Sequence, residues 1–372
     1  MVPPTNIIQP QICDDTYRLA DQTMIESLSV SNFRGIEKLE LHGLRRINVI
    51  VGENSSGKTA LLESIFLAGG GSPEIALRLQ AQRGMAQIFQ IQFDRASYES
   101  LWRYLFRDFD QKKIISVQLV GSEPNTRAVT VAYNEQDAFT LPLGKPAMES
   151  PFIVPITFEW KDFRGELHRA QPKITEQGLN IMGAGETMPI YLFSSSQGLN
   201  PAESASRFSE LDTQGKSGTV VTGLKEIFPY LEGISIQVVS GVPLLHATLS
   251  FSDLKVPLGL LSGGINKLVA IMLAAAGRPQ SVILIDEIEN GFYYQLFPRI
   301  WSALLYLCKQ QDTQIFASTH SEECLRALGK FASNKEDDFA LIRTERSDGH
   351  CTARVFGGRQ LHSAIEQNIE VR

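Results

Sequence analysis

The stretch Val49-Ile50-Val51-Gly52-Glu53-Asn54-Ser55-Ser56-Gly57-Lys58-Thr59 decides how this chain is read. Gly52, Gly57, Lys58 and Thr59 occupy the fixed positions of the pattern G-x-x-x-x-G-K-[ST]. An apolar run, Ile47–Val51, precedes it, and a helix-like run over residues 60–68 follows. That strand–loop–helix context is what the phosphate-binding pattern requires, and a Gly/Ser-rich turn with a chance lysine does not need it. Glycines let backbone N–H groups turn inward around phosphate oxygens, and the helix N-terminus adds free donors and a positive dipole end. Gly52, Asn54, Ser55, Ser56 and Gly57 are therefore expected to cradle phosphates. Lys58 is expected to reach the β- and γ-phosphates, and the Thr59 hydroxyl to hold Mg²⁺.

Upstream, residues 24–30 read as a strand, followed by Ser31-Asn32-Phe33-Arg34-Gly35. Residues 36–41 alternate apolar and polar side chains, with Ile36, Leu39 and Leu41 against Glu37, Lys38 and Glu40, again strand-like. Two strands before the loop make an antiparallel start, unlike a simple βαβ opening. Downstream, Gly69-Gly70-Gly71 and Pro73 stop the helix. Residues 74–110 look helical in pieces, and Leu101, Trp102, Leu105, Phe106 and Phe109 form an amphipathic face whose default meaning is core packing. Residues 114–192 turn to β character in four runs, 200–230 to helix, and strands are expected at 234–239 and 244–251.

A second set of motifs lies in the last third. Leu261-Ser262-Gly263-Gly264 precedes a nearly all-apolar helix at 265–276, ended by Gly277 and Pro279. A Ser-Gly-Gly at a helix start offers free N–H groups, a hydroxyl and an outward dipole, so it is another anion nest. Val282-Ile283-Leu284-Ile285-Asp286-Glu287 describes a buried strand whose end delivers two carboxylates. Asp286 is expected to bind Mg²⁺, as the acid after an apolar strand does in P-loop NTPases, and Glu287 to deprotonate the attacking water. A further apolar strand, Gln314–Ser318, ends in Thr319-His320-Ser321, which puts His320 where a γ-phosphate sensor sits.

Taken together, these motifs resemble the ATPases of the ABC class, with Walker A at 52–59, signature at 261–264, Walker B with its glutamate at 283–287, and a switch histidine at 320. Asn32-Phe33-Arg34-Gly35-Ile36 is similar to the opening of the RecF/SMC branch, not to transporter subunits. Asp286-Glu287-Ile288-Glu289-Asn290-Gly291 and Ser318-Thr319-His320-Ser321 resemble OLD/RecF-like AAA-type ATPases, many of them bacterial anti-phage defence or DNA-repair components. The resemblance spans residues 24–330. It implies ATP and Mg²⁺ as ligands, Glu287 as general base and His320 as γ-phosphate sensor. Ser262, Gly263 and Gly264 then face nucleotide bound to a partner subunit, Arg34 lies near the nucleotide, and Asn290 begins a dimer-contact loop. Phe292-Tyr293-Tyr294 stands where that loop usually carries an aspartate, and Gln80, Gln82, Gln87, Gln90 and Gln92 all compete for the family's glutamine.

The expected fold is α/β: an ABC-type P-loop head with a mixed central sheet, an antiparallel β subdomain, a helical insertion and no coiled-coil arms. Residues 1–23 are expected as a loosely ordered leader, 24–113 as the N-terminal ATPase lobe, 114–232 as a β-rich and helical insertion, and 233–372 as the C-terminal lobe. Only residues 321–372 follow His320, too few for the metal-dependent nuclease module of OLD-type relatives, so an effector is expected to be a separate chain. The expected activity is Mg-dependent ATP hydrolysis by a homodimer or higher homo-oligomer acting as a nucleotide-gated switch. The alternative is an ATP-bound sensor that holds an effector inactive, and a transporter subunit fits less well. A net charge of −6 offers no global basic field, so DNA contact rests on resemblance alone. No apolar run approaches the ~20 residues of a membrane span, and residues 1–21 are not built like a signal peptide. Cys13, Cys308, Cys324 and Cys351 form no C-x-x-C pair, which points to a reduced, cytoplasmic setting.

Overall fold

The computed structural model describes residues 24–84, 95–121, 125–135, 139–140, 152–175, 178–183, 185–195, 200–332, 335–347, 349–357 and 360. Expectations for residues 1–23 and for Gln87, Gln90 and Gln92 lie outside them.

β1 (Ile25–Phe33) and β2 (Ile36–His42) form a hairpin, and β3 (Ile47–Val51) runs through the phosphate loop into α1 (Lys58–Gly69). α2 (Glu74–Gln82) and α3 (Arg95–Arg103) lead to a series of strands: β4 (Ile115–Gly121), β5 (Thr126–Tyr133), β6 (Phe139–Thr140), β7 (Phe152–Ile153), β8 (Ile156–Lys161), β9 (Leu167–Thr175), β10 (Gly178–Met182) and β11 (Ile190–Phe193). α4 (Pro201–Thr213) and α5 (Ser217–Ile227) precede the small sheet of β12 (Leu231–Val239), β13 (Val242–Leu249) and β14 (Val256–Pro257). The remaining elements are α6 (Gly263–Gly277), β15 (Val282–Ile285), α7 (Phe297–Gln311), β16 (Gln314–Ser318), α8 (Glu322–Ala332), β17 (Phe339–Ser347) and β18 (His350–Gly357).

Two large sheets result. The mixed central sheet runs β11-β15-β16-β3-β17-β18, parallel except for β18. The second, β10-β9-β8-β5-β4-β1-β2, is antiparallel throughout. β3, β15 and β16 are buried at every position, as strands covered on both faces must be. Their alternation splits them between two cores. Val49, Val51, Ile283, Ile285, Ile315 and Ala317 face one, while Ile50, Val282, Leu284 and Phe316 face the other. α1, buried on nearly all sides, lies between the two sheets and touches strands of both. A helix apolar all round needs such a place. α4, α5, α6 and α7 cover the opposite face of the central sheet.

Residues 114–232, expected as an insertion, do not form a unit apart. β4, β5, β8, β9 and β10 extend the β1–β2 sheet, and β11 becomes the edge strand beside β15. Strand pairing between distant segments leaves no local mark in the sequence, and the polar run of β9 hides a strand in which, over residues 167–173, only Ala170 and Pro172 are buried.

A buried cation locks the two sheets to α1. On β5, Arg127 donates from Nε to Ala68 O at 2.7 Å and from Nη2 to Gly70 O at 2.8 Å and Glu186 O at 2.5 Å. Ala68 O and Gly70 O are among the carbonyls that the end of α1 leaves without helical partners, at the negative end of its dipole. Burial pushes the Arg127 guanidinium down to about 10. Arg127→Leu strands those carbonyls in a dry setting and is expected to cost about 3 kcal/mol. A fall in the urea unfolding midpoint at constant slope checks this.

Candidate nucleotide site

The phosphate loop takes a form that only its glycines permit at two places. Gly52 has φ +147°, and a Cβ there would lie 2.2 Å from Thr344 O. Gly57 has φ +110°, and its Cβ would lie 2.5 Å from Cys351 Sγ. Thr344 on β17 and Cys351 on β18 therefore brace the loop at close range. Thr344 Oγ1 donates to Val51 O at 3.1 Å, and Cys351 Sγ to Ser56 O at 3.0 Å. The Ser56 hydroxyl is engaged with Thr344 Oγ1 at 2.6 Å, and its N–H donates to Glu53 O at 3.2 Å. Asn54 and Ser55 are exposed, and Ser55 is left-handed at φ +64°. No side chain caps α1 at Gly57, which leaves the N–H groups of its first turn to an anion.

Lys58 is buried and donates from Nζ to Gly52 O and Glu53 O, both at 2.7 Å. Burial holds its ammonium below the ordinary lysine value, against the pull of Asp286, Glu287 and Glu289. Thr59 Oγ1 stands 3.3 Å from both Asp286 oxygens.

The parallel register brings the carboxylates here. Ile283 pairs with Ile315, and Ile315 with Ile47, so β15, β16 and β3 end along one edge. Asp286 is 6% exposed, and its carboxylate is met by the hydroxyls of Thr59, Ser318 (2.6 Å) and Ser195 (3.3 Å). A nearly buried carboxylate compensated by hydroxyls, with Thr59 alongside, is a hard oxygen donor set that fits Mg²⁺. Glu287 adopts φ +49°, its N–H donates to Ser318 Oγ at 2.8 Å, and its Oε2 accepts from Asn290 Nδ2 at 2.5 Å. Glu289 Oε1 accepts the His320 N–H at 2.7 Å, which fixes the exposed His320 to the turn after β15.

The signature residues join this cluster by another route. Ser262 Oγ caps α6 by accepting Ile265 N–H at 3.3 Å, and Ser262 and Gly263 are exposed. Gly264 is buried against Gly291, where a Cβ would lie 2.2 Å from Gly291 O. One turn into α6, Lys267 Nζ donates to Asp286 O at 3.0 Å and Glu287 O at 2.6 Å. Burial pushes the Lys267 ammonium down to about 8 against the attraction of Glu289, Asp286 and Glu287. Arg34, left-handed at φ +50°, pairs through Nη1 with Glu63 at 2.8 Å, and Arg83 shares that carboxylate. Arg34 therefore flanks α1 one turn beyond Thr59. Gln80 is fully buried in α2.

Sequence reasoning passed over Lys267, Ser195, Ser318, Glu289, Thr344 and Cys351. Ser318 and Glu289 sat inside quoted motifs, where a hydroxyl or acid beside the site could have been flagged. Nothing local marks the other four.

A sequence family described as "AAA domain, putative AbiEii toxin, Type IV TA system" matches residues 47–326, which include every site residue above except Arg34, Thr344 and Cys351. An ATP/GTP phosphatase of Helicobacter pylori is 24% identical over 381 residues, covering 92% of this chain and 98% of that protein. The DNA replication and repair protein RecF of Nitrosococcus oceani is 47% identical over 47 residues, 13% of each chain. Among solved structures, an Smc head bound to the C-terminal winged-helix domain of ScpA aligns at a TM-score of 0.47 and 16% identity, over 92% of this chain and 99% of that one.

Proposed function

Since the chain belongs to this AAA-domain family, we propose that it is a Mg²⁺-dependent ATPase whose two ATP sites are each shared between two copies of the chain. The observation that carries the reading is the approach of Thr59 to Asp286 at the mouth of the phosphate loop, with Glu287 next along the chain and within electrostatic reach of Lys58. Lys58 and the free N–H groups of α1 hold the β- and γ-phosphates. Thr59 and Asp286 would hold the Mg²⁺, which would supply charge neutralisation on the phosphates. Glu287 takes the proton of the attacking water, and His320, two residues past the end of β16, reports the γ-phosphate. The relationship to the Helicobacter pylori ATP/GTP phosphatase supports hydrolysis.

Ser262 and Gly263 are exposed at a helix start and reach the site through Gly291 and Lys267, not through the phosphate loop. They are free to complete the loop of a second copy, so that ATP binding closes a dimer and hydrolysis opens it. Gel filtration tests this: Glu287→Gln with ATP and Mg²⁺ elutes as a dimer, and a monomer at saturating ATP overturns the shared site.

A role in defence draws support from the family's description, which names a putative toxin of a type IV toxin–antitoxin system; a separate effector held by the ATP-bound chain is one form that role can take. Co-expression with the adjacent gene product tests it, and toxicity of that product unaffected by this chain counts against it.

A further inference from the structure

Glu287 is in a conformation that a glutamate does not choose. A left-handed residue other than glycine costs about 1 kcal/mol or more, so its surroundings must impose it. Three contacts do so. Ser318 Oγ accepts its N–H, Asn290 N–H donates to its carbonyl at 3.1 Å, and the Lys267 ammonium binds the carbonyls on both sides of it. The carbonyls of Asp286 and Glu287 converge on one cation, with the left-handed residue between them. That turn also aims the Glu287 carboxylate out of the strand line, toward Asn290.

The cation comes from α6, whose exposed start is Ser262-Gly263 and whose Gly264 abuts Gly291 with no room for a side chain. The helix start and the turn that carries the base are thus joined at two points, Gly264–Gly291 and Lys267–Glu287.

We propose that Lys267 is a positioning residue for Glu287, holding the backbone turn that aims the base and tying it to the helix start that faces the partner's nucleotide. The proposal rests on the reading of Glu287 as general base. Lys267 touches carbonyl oxygens, not substrate, so its loss acts on turnover and leaves nucleotide affinity in place. An arginine can replace it, since Lys267 lines a cavity of about 810 Å³, shared with Asn266, Asn290 and Gly291, that gives a guanidinium room.

The test is a double-mutant cycle in the full chain, read as ATP affinity by fluorescence titration and as turnover at saturating ATP. Lys267→Met keeps the aliphatic stem and is expected to lower kcat at least about thirtyfold with Kd for ATP unchanged, and Lys267→Arg to recover most of that loss. In a Glu287→Gln background, Lys267→Met is expected to remove nothing further, because two residues acting as one unit are not additive. A Lys267→Met protein with wild-type kcat, or one that loses ATP binding or its fold, overturns the proposal by assigning the lysine elsewhere or to stability alone. Full turnover in Glu287→Gln by itself instead overturns the base assignment, whatever Lys267 does.

Discussion

Glu287→Gln is expected to lower ATP turnover by about a thousandfold while leaving nucleotide affinity within about twofold. The amide has the same shape, so the hydrogen bond with Asn290 and the left-handed turn fixed by Ser318 can persist. What disappears is the carboxylate read as the proton acceptor beside the phosphate loop. Asp286 cannot substitute, because its oxygens already accept from Ser318, Ser195 and Thr59. A thousandfold loss corresponds to about 4 kcal/mol of transition-state stabilisation, within the range that a positioned base supplies. Single-turnover hydrolysis beside an equilibrium ATP titration separates the two quantities. Turnover within tenfold of wild type would place the base elsewhere.

Lys58→Ala is expected to act one step earlier, on binding. The ammonium is the cation held nearest the phosphates, and its two bonds to Gly52 O and Glu53 O also set the span of the loop. Its removal costs a charge-assisted phosphate contact and slackens the loop, together about 3 kcal/mol, or roughly a hundredfold in Kd. The fold is expected to survive, because a cation held at a cost in desolvation is removed and Thr344 and Cys351 still brace the loop from behind. Thermal unfolding checks both halves. Wild type gains about 2.7 kcal/mol when ATP is a hundred times its Kd, whereas the variant, with the same ATP only near its own Kd, gains about 0.4 kcal/mol. An ATP-dependent shift of wild-type size in Lys58→Ala would show that the lysine does not hold phosphate.

These expectations start from residues legible in the chain itself. Gly52, Gly57, Lys58 and Thr59 are neighbours in sequence, and so are Asp286 and Glu287, so short-range pattern was enough to pair a loop with a carboxylate strand. The antiparallel opening was equally visible in the alternation of 36–41. What stayed hidden depends on distance along the chain. Thr344 lies far from Gly52, and only the β3–β17 pairing brings them together. Ser195 follows β11, a strand whose place beside β15 no local pattern reveals, and Lys267 looks in sequence like one polar residue on an apolar helix. Arg34 was expected near nucleotide, and the structure commits its guanidinium to Glu63, a partner one turn beyond the loop that spacing could not single out.

The central claim is that each site draws on two copies of the chain, and mixing two defective proteins tests it most directly. Lys58→Ala removes the phosphate grip, and Ser262→Arg blocks the helix start, at a cost of about 1 kcal/mol for the lost cap, which the fold can bear. Each alone is expected to be inactive. Equal mixing should restore up to about a quarter of wild-type turnover, because half of randomly paired twofold dimers are mixed and each mixed dimer holds one intact site of two. A mixture as inactive as its parts, or Ser262→Arg protein with wild-type turnover by itself, contradicts the account.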